Sequence, residues 1–231
     1  MMTQPLNYRY AVFTLMLVLT AYFATEVIIF DQAYLYAENQ LMEHAQLLIL
    51  LCVGIFFWLQ AGQKKWSMVP SSAASLSLLA YLGAALCFSF ILREMSIKKT
   101  NIDWLIFFVD GQGYKIIMLL VWLPLLFKAF QYKNEYLDIV KKAILSPTAL
   151  FLMAAVTCLG SGALFDKEIV VVEYFRFYEE VLEMNGYGFM LLAALSFRRD
   201  MIFAVCRDAK EALTAMNSAQ DSTHRVTESR A

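Results

Sequence analysis

Six runs of apolar residues, each close to the length of a bilayer crossing, leave this chain few folds to choose from. A hydrocarbon core about 30 Å thick takes roughly 20 apolar residues per helix, and the runs lie at about 10–30, 43–61, 72–92, 113–131, 147–165 and 176–197. With 60% of 231 residues hydrophobic and only 17% charged, the chain has more apolar surface than a water-soluble core could cover. Continuous stretches such as Leu47 to Leu59 read as helix, not as the alternating strands of a membrane barrel. The expected fold is an all-α polytopic transmembrane bundle of six spans over residues 1–207. A polar tail, 208–231, is expected to be disordered and cytoplasmic, because it has no apolar periodicity to fold it. The first run reads as a span and not a cleaved leader, since Tyr22 and Phe23 precede Ala24 where a small-x-small site would be needed.

Charge sets the expected orientation, because Lys and Arg resist translocation and stay cytoplasmic. Most of the 19 basic residues, among them Arg9, Lys64, Lys65, Lys128, Lys141, Lys142, Arg198 and Arg199, fall on one side if both termini are inside. Most of the 20 acidic residues fall on the other. Six spans with both termini cytoplasmic follow as expectations. The formal net charge of -1 offers no general attraction to nucleic acid.

Local punctuation supports the boundaries. Pro70-Ser71-Ser72 and Ser146-Pro147 read as helix starts, and Pro124 should kink the fourth span. Small residues in the third and fifth spans, Ala80, Gly83 and Ala84, then Ala154, Ala155, Gly160 and Gly162, suggest that these two are central. Cys52, Cys87, Cys158 and Cys206 are spread one per segment with no Cys-x-x-Cys pair, so they read as small buried hydrophobes.

The chemistry gathers on the acidic side. In V-E-Y-F-R-F-Y-E-E-V-L-E-M-N-G-Y-G, Glu173, Arg176, Glu180, Glu183 and Tyr187 recur at three- and four-residue steps and share one helix face, with Glu179 beside them. Ionised groups within a span cost about 2.5–3.5 kcal/mol each, so these carboxylates need water, a cation or basic partners. Glu38, Glu43, His44 and Gln46 open the second span, Arg93 and Glu94 end the third with Asp103 following, Asp110 leads towards Lys115, and Glu26 near the end of the first completes a ring. Arg93 is expected to pair with Glu43 or a glutamate of the sixth span, and Arg176 with Glu173 or Glu180.

Three patches, Glu38-Glu43-Gln46, Leu92-Arg93-Glu94 and Glu179-Glu180-Glu183, resemble uncharacterised multi-spanning inner-membrane proteins of Gram-negative bacteria. The resemblance implies an inner-membrane bundle and brings no activity with it. A seven-span hydrolase of the alkaline-ceramidase type needs several histidines that this chain lacks.

Four readings of the acidic side remain open. The charges are solvated or structural ion pairs; or they bind or move a cation or cationic ligand. Alternatively Glu43, His44, Glu180 and Glu183 hold a divalent metal for hydrolysis of a lipid-like substrate; or the protein is a structural subunit for a membrane-protein partner. No cofactor is evident: Gly111-x-Gly113 and Gly186-x-Gly188 lack a strand-to-helix context, and HExxH and Gly-x-Ser-x-Gly elements are missing from the sequence. Membrane lipid is the one partner that the composition itself requires.

Overall fold

The computed structural model describes residues 6–36, 40–62, 73–95, 106–108, 112–170 and 172–228, the side chains of 6, 7, 73 and 204–228 excepted. Every regular element among these residues is a helix. In chain order they are α1 (Leu6–Ala24), α2 (Leu41–Ala61), α3 (Ala73–Glu94), α4 (Gly113–Gln131), α5 (Lys133–Ala143), α6 (Pro147–Asp166) and α7 (Phe175–Glu228). A π-helical turn, Thr25–Ile29, prolongs α1, and a 3-10 turn, Ala33–Tyr36, leads towards α2.

Five segments are long and apolar enough to cross a bilayer: Tyr8–Ile29, Ala33–Ala61, Ala74–Glu94, Gly113–Gln131 and Pro147–Asp166. They coincide with the first five expected spans to within a few residues at most ends; the second is the exception, its stretch opening at the 3-10 turn before α2. The sixth expected span lies within α7, whose apolar stretch between Glu183 and Arg198 is shorter. The start signal at Ser146-Pro147 works as read: Ser146 is extended, its Oγ accepts from Ala149 N at 3.2 Å, and Pro147 occupies the first helical turn. Pro124 lies inside α4. The Pro70-Ser71-Ser72 signal falls outside the described residues.

α7 is the centre of the bundle, packing against α6, α2, α1 and α5. Tyr187, Met190, Ala193, Ala194 and Phe197 of α7 are buried, joined by Leu50, Val53 and Phe57 of α2 and Leu76, Ala80 and Cys87 of α3. The third and fifth spans are therefore not the central pair. α6 shows Met153 and Val156 to the outside and uses Ala155 and Gly162 to approach α7. Small residues mark where two helices meet, and the one that is surrounded is the one carrying polar groups that lipid would not tolerate. α4 is the opposite case: Leu120, Leu123, Phe127 and Phe130 are all exposed, the surface expected of a helix facing acyl chains.

α5 is short and amphipathic. It buries Ile139 and Ala143 and exposes Leu137 and Val140 together with Lys133 and Lys141. This composition suits a helix lying at a membrane surface. α7 continues as helix to Glu228, through the tail that composition alone leaves unfolded.

Candidate functional site

Two polar assemblies hang on α7, one near each end of its buried stretch. The first is built where α3 ends and α7 begins. Arg93, at the last turn of α3, donates from one terminal guanidinium nitrogen to Glu183 Oε1 at 2.8 Å, and from Nε to Glu94 Oε1 at 3.0 Å. The same terminal nitrogen lies 2.9 Å from Glu94 Oε1. Tyr187, fully buried one turn beyond Glu183, donates its hydroxyl to Glu94 Oε1 at 3.3 Å. Helical periodicity brings Glu183 and Tyr187 to one face, and Gly162 of α6 leaves room behind Glu183, whose Cγ would lie 3.4 Å from a Cβ added there.

Gln46 of α2 closes the assembly. Its Nε2 donates to Glu180 Oε2 at 2.7 Å and to the Glu180 carbonyl at 3.0 Å. Its own Oε1 is buried and accepts from no described group. Glu180 sits within electrostatic reach of Glu183 and Glu94. Three carboxylates thus converge with a single guanidinium among them. The Glu183 side chain is 9% exposed and that of Arg93 60%, so the assembly opens to the surface along Arg93.

The expected pairing of Arg93 with a glutamate of the sixth span is what the geometry has, through Glu183. Arg176 differs. It is exposed at the first turn of α7, makes no ion pair with a described carboxylate, and is felt electrostatically by Glu179. Solvation outweighs an exposed pair there, which contributes only about 0–1 kcal/mol. Glu179 is half-buried, with its carbonyl against Gly162. Glu43 is half-buried in the first turn of α2. His44 is exposed; two residues from Gln46, it points about 160° away around the helix. Glu183 therefore meets α3 and not His44. The four groups Glu43, His44, Glu180 and Glu183 do not form one set, and among the described residues no three or more His, Cys, Asp or Glu are placed to hold a metal ion. Glu26 lies on the π-helical turn, where its carbonyl accepts from Gln32 N at 3.0 Å, and its side chain makes no ion pair with a described member of the assembly. Glu38, Asp103 and Asp110 fall outside the described residues.

Backbone strain collects at this end of the bundle. Asp31, Glu168 and Tyr174 have φ of 53°, 53° and 61°, a left-handed region that residues other than glycine seldom adopt. The Tyr174 hydroxyl is held above its ordinary pKa, first by the charge of Asp31 and then by desolvation, Glu173 and Tyr36.

The second assembly, at the other end, was not legible beforehand. Asp200 Oδ2 accepts from Thr148 N at 2.9 Å and from Thr148 Oγ1 at 2.8 Å, capping the start of α6 from across the bundle, with an Arg9 guanidinium nitrogen 3.9 Å from Oδ1. Gln60 Nε2 donates to the Ala194 carbonyl at 2.7 Å, and Ser75 Oγ donates to Glu135. The Asp200 bonds satisfy a helix start, the Gln60 bond ends on backbone and the Ser75 bond joins α3 to α5, all structural uses of polar groups.

Compared with family models, curated proteins and solved structures, the chain matches none.

Proposed function

We propose that this is a six-span bacterial inner-membrane protein with both termini in the cytoplasm, whose acidic assembly in the outer leaflet binds or moves a cation or a cationic group. The resemblance of its three acidic patches to Gram-negative inner-membrane proteins supports that location, and the bias of basic residues supports the orientation. α7 serves as the sixth span. A helix enclosed by others need not be apolar all round, so its polar residues face protein where an outer helix would face lipid.

The observation that carries the cation reading is Gln46 Oε1, a buried acceptor without a described donor, set beside Glu180 in a group whose carboxylates outnumber its one arginine. A buried acceptor left unmade costs about 1–3 kcal/mol, and converging carboxylates repel. An ammonium group or a hydrated cation between Gln46, Glu180 and Glu183 relieves both. Arg93 would position Glu183 and leave its second oxygen to the ligand.

A second reading, a scaffold for a membrane-protein partner, draws on the fact that Arg93 already engages both Glu183 and Glu94. The third, a metal-assisted hydrolase, draws on carboxylates alone and would need ligands from outside the described residues. One experiment separates the first two. Purified protein is titrated calorimetrically with Na⁺, Ca²⁺ and methylammonium, and its melting temperature is taken on the same sample, for wild type and Glu183→Gln. The cation reading expects binding to be lost with little change in melting temperature, since shape is kept and Arg93 retains Glu94. Unchanged binding with a large fall in stability would eliminate it.

A further inference from the structure

A cavity of about 770 Å³ lies on the lipid side of the bundle, between α2, α3 and α4. α4 is tied to α3 where Trp122 Nε1 donates to Ser89 Oγ at 2.8 Å, and Gly113 at its start fits against Phe107 and Phe108 of the preceding segment. The space between these three helices is floored by the small residues Gly54 and Ala84 and walled by Trp58, Tyr81 and Pro124. The groove runs along α3 from Leu78 to Ile91, a rise of about 20 Å. Among the described residues its one charged lining residue is Lys128, with which no described carboxylate pairs. Trp58 and Tyr81, edge to face at 5.5 Å, lie at the end away from Arg93 and Glu94.

We propose that this groove holds one acyl chain of an anionic phospholipid from the leaflet opposite the acidic assembly, with the Lys128 ammonium on its phosphate. The dimensions match: a leaflet is about 15 Å deep in hydrocarbon, and the groove is slightly longer. The charge matches too. A lysine near the end of an apolar groove extends towards the headgroups, and anionic lipids attract basic side chains there. The bound chain would supply the packing that α4 lacks from protein.

The test is native mass spectrometry of the full-length protein released from nanodiscs of equal phosphatidylglycerol and phosphatidylcholine. One retained phosphatidylglycerol per protein is expected. Lys128→Gln should lower the preference for the anionic lipid about fivefold, the weight of one basic side chain at such a surface, and Val121→Trp, which fills the groove from the loosely packed α4, should remove the retained lipid. Both variants must elute as wild type does in size-exclusion chromatography; where Val121→Trp does not fold, the headgroup preference of Lys128→Gln decides alone. No retained lipid, retention without headgroup preference, or a preference unchanged in Lys128→Gln overturns the proposal. So does a wild-type dimer that Val121→Trp dissociates, which would make the groove a seat for a second copy.

Discussion

Buried polar side chains come in two kinds in this protein, those answered by a partner and those not, and Tyr136 belongs to the second. Its hydroxyl is buried without a described partner, and its pKa is pushed up from 10.0 to about 12 by desolvation first, then by Glu135 and Tyr132. The folded state thus holds this proton more tightly than the unfolded chain. Ionising it therefore costs the folded state: stability is unaffected by this group below about pH 10 and falls as pH rises from there through about 12. Tyr136→Phe should leave stability at neutral pH unchanged or raised, because an unanswered hydroxyl is removed, and should flatten the alkaline loss between those two values. Denaturation midpoints from pH 8 to 12 check this, and a variant weaker at neutral pH would mean that the hydroxyl has a partner after all. Legibility also divides at this scale. Glu180, Glu183 and Tyr187 could be read together because three- and four-residue steps put them on one face. Asp200 could not: it sits in an Arg-Arg-Asp run that reads as solvated charge, and Thr148, the group it caps, lies 52 residues away.

Between elements, glycines separate a close helix contact from an incidental one. A Cβ on Gly186 would come within 2.8 Å of Leu159 Cγ and 3.4 Å of the Ala155 carbonyl, whereas one on Gly160 would meet nothing within 4 Å. Gly186→Val should therefore destabilise the protein by about 1–3 kcal/mol through overpacking of α7 on α6. Gly160→Ala should be neutral or stabilising by up to about 1 kcal/mol, from helix propensity alone. Thermal unfolding of the two variants in detergent makes the comparison; equal effects would mean that the α6–α7 packing is wrong. The span limits were legible because hydrophobic length is a local property. Which helix lies at the centre was not, since small residues declare a contact without naming the partner. α7 draws its central place from long-range packing of Tyr187, Met190 and Ala194.

For the whole molecule, the proposed orientation makes a prediction of its own. With the native cysteines replaced and one introduced at Ser218, an impermeant thiol reagent should fail to label intact cells and should label opened ones. Labelling of intact cells would invert the topology and move the acidic assembly to the cytoplasmic leaflet. A single helix also gives the two polar assemblies a fixed separation. Glu183 and Asp200 stand 17 positions apart on the same uninterrupted helix, about 25 Å along its axis. That is a little less than the hydrocarbon thickness of an average bilayer, about 30 Å. Because each group is tied to a neighbouring helix, to Arg93 at one end and to Thr148 at the other, the pair cannot be stretched to suit a thicker membrane. α7 acts as a ruler. Surrounding lipid must thin to meet it or the bundle must tilt, at a cost of fractions of a kcal/mol per ångström of mismatch, so the protein carries in one helix its own preference for where in a heterogeneous membrane it resides.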